Sequence, residues 1–577
     1  MLRILPLFVL TGLIMISCTT KNPSDMLFFN GIVHTMDDSS TIVDAFAVRD
    51  GRIVATGSNE DILSAWEAAR VIDLEQQHVF PGFIDAHAHL FGLGEEDVIL
   101  GLLGTTSPIG IAEMVRDRAS SLAAGTWIRG RGWDQNDWGT KEFPGKELLD
   151  ATAPTHPVFL SRIDGHAAWV NSRALELSGI TRATPDPEGG RIVRGADGEA
   201  TGILLDQAIE LVRANIPQPA IDEMAEAYAT AIQRCLAVGM TGMHDMGLTA
   251  TGIEAMRLLI ARNEFPFHVV GYIDDTNPAT WETLLKGGRQ TIGNQQLVLA
   301  GLKLYADGAL GSRGAWLLED YTDDAGNRGI PIQSEEVIRR ESERALRAGL
   351  QVCVHAIGDA AVRRVLDAYE QALKAVPRSE YPLRIEHAQV IDIADIPRFA
   401  RLGVIPSMQP THCTSDMTWA EARLGARRVQ EAYAWAALIN SGAWIPGGSD
   451  FPVERPDPIA GIYAASFRKD AEGRPASPED IKSFFQTDPS VPFLPARWTN
   501  GWFGEQCMSR ENAIRAFTIW AARAAGLEKD RGSIEKGKWA DCVILSEDLA
   551  TVPRSRFLNT RVLATWVAGE QVFTAPD

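Results

Sequence analysis

The sequence lacks the features that mark several common classes of protein. Its six cysteines include no Cys-x-x-Cys pair, which argues against a disulfide framework and a zinc finger. Acidic residues outnumber basic ones, 75 against 55, for a net charge of -20. This balance argues against binding nucleic acid or an anionic membrane through a basic face. No Gly-x-Ser-x-Gly elbow, phosphate-binding loop or dinucleotide fingerprint occurs in a supporting context.

The apolar run at the N-terminus is too short to cross a membrane, which takes about 20 residues. It extends from Ile4 to Ile16 after the basic Arg3, a pattern typical of a secretory signal peptide over residues 1–17. The next residue completes Met15-Ile-Ser-Cys18, which resembles the cleavage box of bacterial lipoproteins. We therefore expect an exported protein of the bacterial cell envelope, lipid-anchored at Cys18, with residues 18–25 as a polar tether. A plain signal peptide and an uncleaved hydrophobic tail are the alternatives.

The chain of 577 residues is too long for a single core, so two structural units or a barrel with an appendage are expected. Short β-type runs occupy residues 26–79 and return over 531–577. They are punctuated by dipeptides such as Asn30-Gly31 and Asp50-Gly51, which are hairpin signals. The two chain ends are therefore predicted to build one small composite β-sandwich.

The middle of the chain, residues 80–530, alternates apolar runs with helical stretches, as βα units around a parallel sheet do. Eight candidate strands predict an α/β fold, a (β/α)8 TIM-type barrel. They are Phe83–Ala86, Thr241–His244, Phe267–Tyr272, Gly301–Tyr305, Gln351–His355, Leu383–His387, Val404–Met408 and Trp444–Gly447. Residues 95–235, after the first strand, are rich in Trp, Gly and Pro and are interpreted as largely an insertion over the barrel mouth.

Residues able to bind a metal recur where these strands end. His87 and His89 follow the first strand with i, i+2 spacing, which turns both side chains to one side. The later members of the set are Lys303, His355, His387 and Asp450. Histidine and carboxylate ligands suit zinc and similar divalent ions. Each residue alone has a structural alternative, such as a turn cap for Asp450, but a structural origin for all six together is much less plausible.

Several motifs give the chain its resemblance to a known family. They are Pro81-Gly-Phe-Ile-Asp-Ala-His-Ala-His89, Leu302-Lys-Leu-Tyr-Ala-Asp-Gly-Ala-Leu-Gly-Ser-Arg313, Val354-His-Ala-Ile-Gly-Asp359, Arg384-Ile-Glu-His-Ala-Gln389 and Gly448-Ser-Asp-Phe-Pro-Val453. From about Met26 to its end the chain resembles the amidohydrolase superfamily, in the YtcJ-like group related to N-substituted formamide deformylases. The motifs are specific for the family and much less so for a substrate.

The resemblance implies a centre of one or two divalent ions, with zinc expected. His87 and His89 would bind one ion together with Asp450, and His355 and His387 a second. Lys303 would bridge the two as a carboxylated lysine, and without that modification a single-ion site stays open. A metal lowers the pKa of bound water from 15.7 to about 7, and Asp450 would act as general base and then as general acid.

The implied activity is hydrolysis of a non-peptide C–N bond in a small molecule, an amide or an N-formyl or N-acyl amine. His166 is a candidate helper that polarises the carbonyl, with packing as its alternative. Asp307 and Arg313 are expected to shape the floor of the site or bind substrate, and Trp133 to line a pocket wall or pack within a loop. The competing hypotheses are a metal-dependent isomerase, a cyclic amidase and a non-catalytic surface binding lipoprotein. No nucleic-acid partner is expected, and a homodimer is considered beside a monomer.

Overall fold

The computed structural model describes residues 21–96, 99–217, 219–377, 381–475 and 500–576. Cys18, the signal peptide and the start of the tether lie outside these residues. The predicted tether ran to residue 25, whereas the first strand already begins at Asn22 and pairs in parallel with the strand that starts at Trp66. None of the helices in the described ranges is both long and apolar enough to span a membrane.

The strands of the N-terminal part belong to two different sheets. They are β1 (Asn22–Phe29), β2 (Ile32–His34), β3 (Ile42–Val43), β4 (Ala45–Arg49), β5 (Arg52–Gly57), β6 (Trp66–Asp73) and β7 (His78–Pro81). Asp50-Gly51 forms the expected β4–β5 hairpin, and both residues have a positive φ, 52° and 71°, as a type I′ turn requires. Asn30-Gly31 does not form a hairpin, because β1 pairs with β4 and β6 while β2 pairs with β3 and β7.

The parallel sheet of the barrel begins with β8 (Phe83–Ala88), and the inserted sheet follows it in the chain. The insertion contains β9 (Leu100–Gly101), β10 (Ile128–Trp133), β11 (Val158–Arg162), β12 (Ala167–Val170), β13 (Gly190–Arg194) and β14 (Ala200–Asp206). These strands form one sheet in the order β13-β14-β12-β11-β10-β9. Its core is rich in tryptophan, with Trp133, Trp138 and Trp169 buried together.

The barrel continues with β15 (Met240–Leu248), β16 (His268–Asp274), the short β17 (Gln290–Ile292), β18 (Leu297–Tyr305), β19 (Gln351–Ala356), β20 (Arg384–His387) and β21 (Ile405–Ser407). Its sheet runs β21-β20-β19-β18-β16-β15-β8, with parallel pairing throughout and β17 paired antiparallel to β18. The result is a nearly closed parallel barrel of seven strands.

The predicted eighth strand, Trp444–Gly447, is an irregular segment that closes the barrel. Gly447 bridges in parallel to Met408, and its carbonyl accepts a hydrogen bond from the Ala86 amide at 2.9 Å. Pro446 interrupts the ladder because proline has no N–H to donate. The segment therefore lies between β21 and β8 without becoming a regular strand, and its last residues lead directly to Asp450.

The C-terminal strands are β22 (Cys542–Leu545), β23 (Val562–Val567) and β24 (Glu570–Thr574), and they complete a sheet in the order β24-β23-β22-β7-β2-β3. The second sheet, β5-β4-β1-β6, shares its buried face with this one. Phe28 stacks on Phe46 at 4.4 Å and meets Trp566 edge-on at 5.0 Å. Residues more than 500 positions apart in the chain therefore pack in a common core.

The helices of the described residues lie in all parts of the fold: most cover the barrel or connect its strands, the first packs on the N-terminal sheet, and several belong to the insertion. They are α1 (Asn59–Ala65), α2 (Leu90–Glu95), α3 (Pro108–Ser120), α4 (Glu147–Thr152), α5 (Ser172–Leu177), α6 (Glu210–Arg213), α7 (Ile221–Ala237), α8 (Ala250–Ala261), α9 (Pro278–Gly287), α10 (Glu335–Arg347), α11 (Asp359–Ala375), α12 (Ile396–Leu402), α13 (Pro410–Asp416), α14 (Ala420–Arg428), α15 (Trp435–Asn440), α16 (Pro458–Phe467), α17 (Arg510–Ala516), α18 (Ile519–Ala524) and α19 (Arg554–Phe557). Helix α7 packs on α2 and α8, so the insertion ends before Ile221, earlier than the predicted boundary at residue 235.

Candidate metal centre

The six predicted ligand residues converge at the carboxyl ends of the barrel strands. The rings of His87 and His387 lie 4.7 Å apart between centroids, and those of His355 and His387 lie 4.5 Å apart. Nζ of Lys303 is 3.4 Å from Nε2 of His87. In parallel barrels this end of the sheet is where catalytic groups gather.

Asp450 lies at the centre of the cluster. Its Oδ1 is 3.2 Å from Nε2 of His89 and 3.5 Å from Nε2 of His87. The Asp450 amide donates to the His87 carbonyl at 2.7 Å, and Asp450 has a φ of 59°. The backbone conformation therefore determines the direction in which the Asp450 side chain leaves the chain.

His87 is oriented by a buried network of charged groups. Its Nδ1 lies 2.6 Å from Oε2 of Glu386, and both side chains are fully buried. Arg384 donates to both oxygens of Glu386, at 2.8 and 3.0 Å, and to the Ala86 carbonyl at 2.7 Å. With Nδ1–H directed at the carboxylate, the lone pair of His87 Nε2 faces Asp450. A carboxylate behind a ligating histidine fixes its tautomer in many metal sites.

The rings of His387 and His355 are each oriented by a contact between one ring nitrogen and a neighbouring oxygen, as the ring of His87 is. Nδ1 of His387 lies 2.8 Å from Oε1 of Gln409, which leaves Nε2 toward His87. Nε2 of His355 lies 3.4 Å from the Gly308 carbonyl, and its ring is 4.5 Å from that of His387 between centroids. Burial lowers the pKa of His87, His355 and His387 well below the usual value. Neutral imidazole is the form that ligates a metal.

The residues present fit a divalent metal ion. Donor atoms of His87, His387 and Asp450 lie within 4.8 Å of one another. Asp450 Oδ1 is buried and accepts no well-formed hydrogen bond from the described residues. A buried carboxylate oxygen without a donor carries a desolvation cost of about 1–3 kcal/mol or more, which coordination to a cation would remove.

Asp85 connects the first strand to the segment that carries Asp450. Its buried carboxylate accepts the His87 amide at 3.0 Å and the Ser449 hydroxyl at 2.6 Å. Burial raises the pKa of Asp85 to about 7. Asp85 is thus a positioning residue that sets His87 and Asp450 in register across the closing gap of the barrel.

A cavity of about 1080 Å³ opens above the centre and is roofed by the insertion. His166 faces it, with Nδ1 2.7 Å from Oδ1 of Asp206 and its ring 4.9 Å from that of His355. Burial alone would lower the pKa of His166, but the hydrogen bond to Asp206 outweighs it and raises the pKa. His166 therefore borders the space directly above the candidate centre.

The other three predicted substrate residues lie away from the lining of this cavity. Trp133 is fully buried in the insertion and donates to the Leu160 carbonyl at 2.8 Å, so it packs within its own sheet. Arg313 forms a two-pronged ion pair with Asp323, at 3.2 and 3.0 Å. Asp307 accepts the amides of Trp316, Ile357 and Gly358, a placement that shapes the floor from behind.

Two further histidines near the barrel mouth have different placements. His412 lines the cavity, with Nε2 4.0 Å from Oδ2 of Asp450. His244 lies behind the centre, with Nδ1 2.8 Å from Nη1 of Arg384. His244 ends the second predicted strand and His412 follows the seventh, so their chain positions allow both to face the cavity, whereas the strand-end pattern does not single out Glu386, Asp85 or Gln409.

We expect Glu386→Gln to weaken metal binding by about 10–100-fold, the usual effect of removing the partner of a ligating histidine. The neutral amide of glutamine accepts the Nδ1–H of His87 less strongly than a carboxylate does. The His87 ring therefore becomes less basic and less well oriented. Zinc titration of the chelator-treated protein measures the change. The matched control is Glu341→Gln. Glu341 is a buried glutamate of helix α10 that accepts hydrogen bonds from Trp281 and Arg344. Unchanged affinity in Glu386→Gln contradicts the positioning role.

The barrel, its appended sheets and the histidine-rich centre together define a metal-dependent hydrolase of the amidohydrolase type. The family model described as "Amidohydrolase family" matches residues 70–573, and the chain belongs to this family. It is 34% identical to the YtcJ protein of Bacillus subtilis over 95% of this chain and 99% of that protein.

Two further relatives agree with this assignment. The N-substituted formamide deformylase of Arthrobacter pascens is 27% identical over 94% of this chain and 97% of its own. An uncharacterized metal-dependent hydrolase of Pyrococcus horikoshii has a crystal structure that superposes with a TM-score of 0.71. Its sequence is 27% identical, over 92% of this chain and 99% of its own.

Proposed function

We propose that this enzyme hydrolyses a C–N bond other than a peptide bond, in an amide or an N-formyl or N-acyl amine. The observation that carries the proposal is the placement of the Asp450 carboxylate beside His87, His89 and His387 beneath an open cavity. The formamide deformylase relative, which matches nearly the whole chain, supports the choice of bond. The cavity, about 1080 Å³, is slightly larger than the usual 300–1,000 Å³ and leaves room for a sizeable N-substituent.

The residues that would hold the metal are His87, His89, His355, His387 and Asp450, with Lys303 between them. Nitrogen and oxygen donors of this kind favour zinc among divalent ions. When bound, such an ion supplies Lewis acidity, which makes a nearby water acidic near neutral pH and polarises a carbonyl.

Asp450 would take the proton of the attacking water and then give it to the departing amine. Its buried Oδ1 accepts no well-formed hydrogen bond from the described residues, so it is free to accept a proton, and its contact with His89 keeps one oxygen directed at the centre. His166, hydrogen-bonded to Asp206, would donate a hydrogen bond to the substrate carbonyl. The insertion above the centre would limit the access of bulk water.

Turnover of a panel of N-formyl and N-acyl amines by the zinc-loaded protein tests the proposal. Release of free amine together with formate or another carboxylate is the expected result, and it should disappear on metal removal and return with zinc. Rearranged products without hydrolysis would instead favour the isomerase. A folded, zinc-loaded protein that turns over none of the panel, nor cyclic amides, would contradict hydrolysis of this bond class.

We also propose that Lys303 is carboxylated and bridges two ions. The side chain is almost fully buried and burial lowers its pKa, which favours the neutral amine that reacts with carbon dioxide. An ammonium at 3.4 Å from His87 Nε2 would repel a dication, whereas a carbamate offers two oxygens.

Lys303→Ala is expected to lose bound zinc and most activity, and short carboxylates added to the variant should restore part of the activity. Metal analysis of the variant and its parent, grown with the same zinc supply, measures the loss. Two ions bound at unchanged affinity in the variant would contradict the bridging role.

We propose further that the protein is exported and anchored through a lipid on Cys18. The short apolar run and the Met15-Ile-Ser-Cys18 box support this. The Cys18→Ala variant of the full chain should leave the membrane fraction of expressing cells, whereas the parent chain should stay in it. Equal distribution of the two proteins between the fractions would contradict lipidation at this residue.

A further inference from the structure

A second group of metal-ligating side chains lies on the composite sheet, apart from the barrel centre. It consists of His34 at the end of β2, His78 at the start of β7 and Asp548 after β22. One donor atom from each lies within 4.8 Å of the others. His34 and His78 fell outside the strand-end pattern of the barrel, and the chemistry at the barrel centre uses none of the three.

The sheet register places the two histidines on one face. Parallel pairing sets Ile32 opposite His78 and Val33 opposite Val79, so His34 lies two positions along from His78 on the same side. Such diagonal neighbours are within reach of long side chains. The antiparallel pairing of Leu545 with His78 brings the segment with Asp548 to the same place from the other end of the chain.

One nitrogen of each histidine is buried without a well-formed hydrogen bond. The side chain of His34 is 7% exposed, and its ring stacks on Phe80 at 4.2 Å with an interplanar angle of 4°. Nε2 of His34 and Nδ1 of His78 are buried, and neither has a hydrogen-bond partner among the described residues. An imidazole nitrogen buried without a partner costs free energy, and coordination to an ion would offset that cost.

The distances suit a tetrahedral ion. Nε2 of His34 lies 3.3 Å from Oδ1 of Asp548, and ligand bonds of about 2.0–2.1 Å at tetrahedral angles separate two ligand atoms by about 3.3 Å. Asp548 also caps the next turn, since Oδ1 accepts the Ala550 amide and Oδ2 the Thr551 hydroxyl, both at 2.8 Å. These bonds hold the carboxylate in place and leave lone pairs for an ion.

We propose that His34, His78 and Asp548 bind a structural zinc ion, with water as the fourth ligand. Two imidazoles and one carboxylate match zinc better than magnesium or calcium, which favour all-oxygen sites. The ion joins two N-terminal strands to a loop that is 514 residues beyond His34 and 470 beyond His78 in the chain. It therefore clamps the two chain ends where they form a single sheet, and binding free energy at such a site adds to folding free energy.

Zinc content of the protein, stripped with chelator and reloaded, tests the clamp. His78→Gln and Asp548→Asn should each bind one zinc per chain less than the parent, while His156→Gln, a histidine of the insertion bonded to the Thr126 carbonyl, should bind the same amount. Asn at position 548 keeps an oxygen for the turn, so this variant should fold. In a Lys303→Ala background the loss from His78→Gln should add to the loss at the barrel centre.

Crystals of the zinc-loaded parent provide a readout that does not depend on any variant. An anomalous difference peak at the zinc edge between His34, His78 and Asp548 is the expected result. Its absence in crystals whose barrel centre is zinc-loaded would overturn the proposal, as would equal zinc content in all the variants. Either failure leaves the proposed hydrolase activity untouched, because the two sites share no residue.

Discussion

Replacing Asp450 by asparagine should lower turnover by about 10²–10⁴-fold, the usual contribution of a general acid–base group. Asparagine keeps the shape of the side chain but cannot take a proton from water, and the histidines of the centre remain to hold the ion. It also tolerates the positive φ of 59° at this position, so the backbone should stay in place. Turnover per folded, zinc-loaded molecule is the quantity to measure, and zinc content should change much less than turnover.

The alternative for Asp450 is a turn cap, which predicts a stability loss of about 0.5–2 kcal/mol and normal turnover of the folded fraction. In the described part of the chain its carboxylate accepts no backbone amide, and its close neighbours are His87 and His89. Glu454→Gln is the matched control, since Glu454 lines the same cavity and bonds to Ser415. Near-normal turnover in Asp450→Asn would remove this residue as the base.

Replacing Arg384 by methionine should destabilise the protein by about 3–5 kcal/mol, the effect of removing one partner of a buried ion pair. Both Arg384 and Glu386 are fully buried, so the substitution leaves a buried carboxylate without its cationic partner. Donors to Ala86 and Ser407 are lost as well. Denaturant unfolding of the metal-free proteins measures the change without the contribution of bound zinc.

Arg173→Met is the control for the loss of an arginine as such. Arg173 pairs with Glu176 on the surface of α5, where its side chain is 46% exposed, and exposed pairs contribute less than about 1 kcal/mol. If Arg384→Met lowers the free energy of unfolding by no more than Arg173→Met does, the buried network does not stabilise the barrel. A folded variant with weakened zinc binding would show that Arg384 acts on the centre through Glu386.

The clustering of the candidate ligand residues could be predicted from the sequence because the strands of a parallel barrel all point the same way. Once the strands were located, the residues at their carboxyl ends had to face one another, and the structure brings His87, His355, His387 and Asp450 together. The insertion was found from its composition, although its boundary fell inside α7. The appended sheets were anticipated from the β-type runs at both chain ends.

The residues behind the ligands could not be predicted by that argument. Glu386 precedes the ligand His387, and its partner His87 is 299 positions away, a contact that no local pattern contains. The signal that was available is the pair Arg384 and Glu386, two charges spaced i, i+2 in a buried strand, since unpaired charges are rarely buried. Trp133 was a candidate for the pocket wall but packs in the core of the insertion. Its residue type could not decide between the two, because an aromatic ring is equally expected in a pocket wall and in a core.

The sheet built from both chain ends has a consequence for synthesis. One edge of β7 is completed by β2, but its other neighbour, β22, is made about 460 residues later. At about 5–20 residues per second, translation of that interval takes on the order of 20–90 s. During that time the first strands have an exposed edge that can pair with other chains. The beginning of this protein therefore reaches its final structure only after its end has been made.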